Sequence, residues 1–314
     1  MMIRKIILVL IFVTVLYSGF LIFSDISVIY DKMLNFKVEF LPIIFPLIIF
    51  GWLILFVRWH LLLKNSNIQI PLKSSFSTYF SGFALSIIPG EVGPLIKAQI
   101  LKNKFNISRA KTSPIVISEF LYTGIGLVSL SLIGGVVFEV GMYIGSIFAC
   151  LLIIIFLVIN SKKLFIKFMK IASKIKFISN FTNSIEDSSD VIKKSTSGKI
   201  MVYCSLLSIS HWLIESVAVF LIIHAFGIST IQLTDIIPMY STSILLGLAS
   251  FLPLGGIGVV EGSLSAFLNL HGIELSIALP IVITIRLFTI WFGILIGLFA
   301  LKKYGGLTMD NKEQ

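Results

Sequence analysis

Long apolar stretches alternate along this chain with short charged ones, and few polar positions interrupt the apolar stretches. Residues 6–23, 40–57, 141–160 and 287–301 carry no Asp, Glu, Lys or Arg, and 113–138 carries only Glu119. A helix needs roughly 20 apolar residues to cross a bilayer core. The pattern predicts about six full membrane spans, at 6–23, 41–63, 114–137, 141–159, 201–226 and 277–301. The first lacks a small-x-small cleavage signature after its apolar run, so it reads as a retained span, not a signal peptide.

Two further apolar stretches, 72–96 and 236–270, each break at a Pro/Gly cluster. The first break reads "IIPGEVG" at 87–93 and the second "FLPLGGIGVVEG" at 251–262. Broken backbone at membrane depth is tolerated only where protein or water surrounds it. Lysines flank the first stretch on both sides, at Lys73 and from Lys97 onward. The second lies between the end of the fifth span and the start of the last, which closes on Lys302 and Lys303. Both are predicted to be re-entrant helical hairpins, inserted from opposite faces. The expected fold is all-α: a polytopic integral membrane protein with a single transmembrane domain.

Composition agrees with this class. Of the 314 residues, 57% are hydrophobic and 13% charged, too little charge to cover a soluble domain of this size. The net charge of +10 would suit a nucleic-acid partner, but its distribution argues against one. Arg4 and Lys5 precede the first span, and Lys64, Lys73, Lys97, Lys102, Lys104, Arg109 and Lys111 lie between the second and third. Nine lysines fall between Lys162 and Lys199, whereas the opposite loops hold only Lys32 and Lys37. This positive-inside asymmetry predicts a multi-pass membrane protein with both termini cytoplasmic. In the loop 160–200, Phe165, Phe168, Ile171, Ile175 and Ile178 recur at helical spacing among lysines. That pattern predicts a basic amphipathic helix on the inner leaflet.

The two halves of the chain resemble each other. "PIVISEFLYTGIG" at 114–126 aligns with "PIVITIRLFTIWF" at 280–292, and the Pro/Gly breaks precede them at similar distances. The span at Pro114 is predicted to run outward and that at Pro280 inward. Similar sequence in opposite orientation indicates inverted-topology repeats, about 41–137 and 201–301, a pattern of alternating-access transporters.

Ionisable groups inside a bilayer cost roughly 2.5–3.5 kcal/mol each on insertion scales, so each demands a reason. Glu261 follows the second break, and Arg286 lies two turns into the last span. They can bind a ligand or brace each other, with Pro253 breaking the helix and Gly255, Gly256 and Gly258 presenting backbone N–H groups beside them. Pro89, Glu91, Gly93, Lys97 and Glu119 are the counterparts in the first half, although Lys97 can equally be a cytoplasmic anchor. His211 and Glu215 stand four apart on one helix face, as a proton relay, a headgroup contact or a packing pair. Arg58 and His60 near the inner end of the second span read as snorkelling groups. No D-x-D pair, metal-spaced His/Cys cluster or Ser/His/Asp order stands out, so no enzymatic chemistry, metal or cofactor is expected.

The C-terminal run "LPLGGIGVVEGSLSAFLNLHGIELSIALPIVITIRLFTIWFGILIGLFAL" resembles the signature of the lysylphosphatidylglycerol synthase transmembrane region, also called the flippase-like or UPF0104 family. Pro253, Gly255, Gly256, Gly258, Glu261, Gly272, Ala278, Arg286 and Gly297 carry the match. "IIPGEVGPLIKAQILKNKFNISRAKTSPIVISEFL" is similar to the first family motif through Pro89, Gly93, Lys97, Leu101 and Glu119. It departs at Gly93-Pro94-Leu95-Ile96-Lys97, where the family has Gly-Glu-x-x-Arg, and at Glu119-Phe120, where the family has Glu-Arg. The resemblance implies lipid translocation by a stand-alone member without the aminoacyltransferase domain. The expected function is a flippase or scramblase for a phosphate-headed lipid, either a phospholipid or a polyprenyl-phosphate-linked sugar. The alternative is a membrane accessory protein for a separate glycosyltransferase or lipid-modifying enzyme. An intramembrane transferase would need Glu91, Glu119, Glu215 and Glu261 gathered in one cavity.

Overall fold

The computed structural model describes residues 34–86, 93–161, 163–164, 166–167, 185–250 and 256–303. The predicted first span at 6–23, most of the amphipathic segment, and parts of the two Pro/Gly breaks (87–92 of 87–93 and 251–255 of 251–262) lie outside these. Among the described residues all regular structure is helical. Helix α1 is Leu41–Asn65, α2 Leu72–Ser81, α3 Ile96–Phe105, α4 Arg109–Ile133 and α5 Glu139–Asn160. Then follow α6 Ile185–Ser195, α7 Gly198–Ala225, α8 Leu233–Ala249, α9 Val259–Leu270, α10 Leu275–Arg286 and α11 Phe292–Lys303. A single π-helical stretch, Leu287–Trp291, joins α10 to α11.

Among the described residues, five helical stretches are long and apolar enough to cross a membrane: Val38–Asn65, Arg109–Val136, Glu139–Asn160, Gly198–Ala225 and Leu275–Lys303. They coincide with the second to sixth predicted spans, with ends shifted by a few residues. The chain is a polytopic membrane protein. Helix α4 starts more than a turn before the predicted 114 because it runs through Pro114, as α10 runs through Pro280. Each proline lacks the N–H that would bond the carbonyl four residues back, a loss that membrane helices tolerate because neighbouring groups re-satisfy the freed backbone. The two broken stretches appear as short helices on either side of their breaks, α2 with α3 and α8 with α9, and the partners pack together in each case.

In lipid, helices associate through close packing and buried hydrogen bonds, since the tails are as apolar as the side chains. Helices α1 and α7 form the central contact. They are antiparallel: the Lys37 N–H donates to the Ala225 carbonyl at 2.9 Å, and Asn65 Nδ2 donates to the Lys194 carbonyl at 2.9 Å. Around them the stretches cross over, with α2 and its following turn against α11, and α8 against α4. Small residues permit both crossings. A β-carbon on Gly297 would lie 2.2 Å from the Ala84 backbone nitrogen, and one on Gly134 would lie 2.4 Å from the Pro238 ring. Helix α5 stands outside, with Leu151, Ile153, Ile154 and Leu157 exposed where lipid would cover them. Helix α6, part of the basic 160–200 loop, docks on α4 and α5: Ile192 is buried with Leu121 and Ile159, and the Tyr122 hydroxyl donates to the Ser195 carbonyl.

Candidate functional site

The turn leading into α9 dictates the setting of Glu261. Gly256 and Gly258 have φ of +75° and +90°, a region that side chains with a β-carbon avoid. A β-carbon on Gly256 would also lie 2.6 Å from Gly247 Cα at the end of α8. Gly258 caps α9, and Glu261 in the first turn reaches back so that Oε2 accepts the Gly258 N–H at 2.6 Å. This is the acidic half of a capping box, and glycine has no side chain to supply the other half. Oε1 accepts from Arg286 Nε at 3.0 Å. Glu261 is fully buried. Arg286 closes α10 just before the π-helical stretch, and its Nη2 finds no hydrogen-bond partner among the described residues. π-helical insertions recur at functional sites because they rotate the following helix face.

The first half holds a matching pair with the charges exchanged between elements. Lys97 on α3 forms an ion pair with Glu119 on α4. The Lys97 ammonium also lies 4.5 Å from the Trp59 ring centre and 5.3 Å from that of Tyr79, within cation–π range. Its stem passes Gly82, where a β-carbon would come within 3.2 Å of it. Lys97 is therefore buried against aromatic rings and does not extend as a surface anchor. Gly93 opens a short 3-10 turn, Gly93–Leu95, ahead of α3. Pro89, Glu91, Pro253 and Gly255 lie outside the described residues.

On α7, His211 Nε2 sits 3.1 Å from Glu215 Oε2, and the Tyr240 hydroxyl of α8 donates to Glu215 Oε1 at 2.6 Å. Gly51 of α1 leaves the space that His211 occupies; a β-carbon there would be 2.9 Å from Nδ1. Arg58 departs from the snorkelling expectation. Only 3% of it is exposed, because α7 covers its face of α1. Its Nη1 donates to Ser208 Oγ at 2.7 Å, and both terminal nitrogens lie 3.5 Å from Thr123 Oγ1.

These groups converge on one cavity of about 290 Å³. Arg58, Lys97, Glu119, His211, Glu215 and Arg286 all line it, contributed by five helices from both halves of the chain. Trp52, Phe83, Leu248 and Ile290 supply apolar wall. Small-molecule pockets start at roughly 300 Å³, so this space suits a polar headgroup better than a whole lipid. Each buried carboxylate has its own partner: Glu119 has Lys97, Glu215 has Tyr240 and His211, and Glu261 has Arg286. Among the described residues no three His, Cys, Asp or Glu side chains gather as metal ligands.

Single ionisable positions in apolar runs pointed to Glu119, Glu215, Glu261 and Arg286 from the sequence. Tyr79, Tyr240 and Trp59 gave no such signal, because aromatic residues are common throughout a membrane chain.

Known proteins add a family to this geometry. A UPF0104 membrane protein of Methanothermobacter thermautotrophicus is 30% identical over 112 residues, covering 36% of this chain and 32% of that relative. The alignment therefore spans about a third of the relative's length. Residues 5–297 match the family described as Lysylphosphatidylglycerol synthase TM region. With that match running over nearly the whole chain, the protein belongs to the lysylphosphatidylglycerol synthase TM region family.

Proposed function

We propose that this protein is a flippase or scramblase that moves a phosphate-headed lipid between the leaflets of a prokaryotic cytoplasmic membrane. The observation that carries the reading is the charged cavity, built where two broken helical stretches meet the central α1/α7 pair. A headgroup crossing a bilayer needs a polar enclosure for its charge while its tails stay in lipid, and buried cations supply that enclosure. Either a phospholipid or a polyprenyl-phosphate-linked sugar has this chemistry. Neither a catalytic group nor a cofactor enters the reading, and the separate partnering of each carboxylate favours transport over transferase chemistry.

Inverted repeats over 41–137 and 201–301 give the path two faces. Helix α1 would correspond to α7, α2–α3 to α8–α9, and α4 to α10–α11. The crossed packing of α2 on α11 and α8 on α4, and the paired Lys97–Glu119 and Glu261–Arg286 bridges, support that correspondence. The two broken stretches would then insert from opposite sides, with both termini cytoplasmic and a glycosyltransferase or lipid-modifying enzyme as a possible neighbour.

The direct test reconstitutes the purified chain in liposomes with labelled phosphatidylglycerol and adds a membrane-impermeant quencher. Quenching should exceed the outer-leaflet share seen in protein-free vesicles. Identical quenching in both would sink the transport reading. Unchanged exchange in Arg286→Ala and Glu261→Gln would instead remove those two residues from the path.

A further inference from the structure

Among the described residues three Lys or Arg side chains line the cavity, and they differ in how their charge is met. Lys97 has Glu119 and Arg286 has Glu261. Arg58 has no carboxylate within ion-pair distance among the described residues. It is held by the hydroxyls of Ser208 and Thr123, the second at the 3.5 Å limit of a useful contact. The Ser208 hydroxyl spends its own proton on the Cys204 carbonyl at 2.8 Å, so its oxygen is left as an acceptor for Arg58. Arg58 Nε has no partner among the described residues, although the side chain is buried. A buried guanidinium with neutral partners and an unused donor is costly unless an anion completes it.

We infer that Arg58, oriented by Ser208 and Thr123, is the anion-receiving subsite of the cavity and takes a phosphate oxyanion. This rests on the transport reading above and gives it a specific contact. A guanidinium fork matches phosphate oxygens in two-point geometry, which an ammonium does not. The other two cations are already neutralised, so they shape the wall and Arg58 supplies the attraction. Its place suits a first contact. Ser208 lies in the early part of α7, and α1 and α7 are antiparallel, so Arg58 stands toward the end of the bundle where Asn65 meets Lys194. That end carries the basic residues Lys64, Lys193, Lys194 and Lys199, which concentrate anionic headgroups by long-range attraction. Along α7, Ser208, His211 and Glu215 share one face, so a headgroup held at Arg58 has acceptor and donor groups further along the same wall.

The test uses the full chain in phosphate-free maltoside micelles. Tryptophan fluorescence is the readout, because Trp52 and Trp212 line the cavity. The probes are dioctanoyl phosphatidylglycerol, dioctanoylglycerol (the same chains without phosphate) and inorganic phosphate. Saturable responses of wild type to the phosphate probes, absent with dioctanoylglycerol and weakened about tenfold or more in Arg58→Gln, are expected. Arg58→Lys should fall between the two, since it keeps the charge and loses the fork. Ser208→Ala should weaken binding, though less than Arg58→Gln, because the guanidinium remains but loses the hydroxyl that orients it. Melting curves without probe establish that each variant is folded. A response to inorganic phosphate alone, lost in Arg58→Gln, upholds the subsite and overturns the lipid as its source. Equal phosphatidylglycerol affinity in wild type and Arg58→Gln overturns the assignment of Arg58 and leaves the transport reading standing. No saturable response in wild type overturns both.

Discussion

Glu261 shows how a membrane protein keeps a carboxylate away from water. One oxygen accepts the Gly258 N–H and the other accepts from Arg286, and no part of the residue is exposed. Breaking such a pair by removing one partner costs about 3–5 kcal/mol, because the survivor stays buried and uncompensated. Arg286→Met should therefore lower stability in detergent by that order. Arg286→Met combined with Glu261→Gln should cost much less, because glutamine still accepts the Gly258 N–H and carries no charge. A double-mutant cycle from thermal or denaturant melting measures the difference, and equal losses in single and double variants would refute the pairing as a stability determinant. Both partners were legible in the sequence because each is a lone charge in an apolar run. Arg58 was not, because a cation near a helix end can turn either to the headgroups or to a neighbouring helix. Only the position of α7 decides between them.

At the level of helices, periodicity and charge located the long spans well, since length and apolarity are what the bilayer itself selects. Boundaries were less legible: Pro114 read as a span start and is in fact inside α4. The glycines show the same limit. Gly293 and Gly297 stand four apart and share one helix face, but sequence could not say that the partner is the turn after α2, where Phe83 and Ala84 lie. Gly297→Ala places its new carbon against backbone on a fixed element, so α11 must shift. Overpacking of this kind costs roughly 1–3 kcal/mol, and lipid exchange should fall with it if the α2–α11 contact shapes the path. Gly262→Ala is the contrasting case. Gly262 lies inside α9 with nothing within 4 Å of an added β-carbon and without a positive φ. Alanine is favoured over glycine in a helix by roughly 0.5–1 kcal/mol, so this variant should melt slightly higher. Melting temperatures of the two variants compared with wild type check both signs.

For the whole molecule, the decisive quantity is the side of the membrane on which each broken stretch begins and ends. Charge asymmetry predicts that residues 72–96 return to the cytoplasmic face and 236–270 to the opposite one. Inverted repeats built on these stretches need that opposition, because the two halves then run through the membrane in opposite senses. Two cysteines have to be removed first, exposed Cys150 and buried Cys204. In that background, single cysteines at Lys73, Lys102, Gln232 and Leu270 report on four exposed positions flanking the two stretches. An impermeant maleimide applied to right-side-out and inverted vesicles should label Lys73→Cys and Lys102→Cys from the cytoplasmic face together. Gln232→Cys and Leu270→Cys should label together from the other face. If Lys73→Cys and Lys102→Cys label from opposite faces, the first stretch crosses the membrane and the repeats are not inverted. The cavity would then be a packed polar core between full spans, and an accessory role would explain its bridged charges better than transport does.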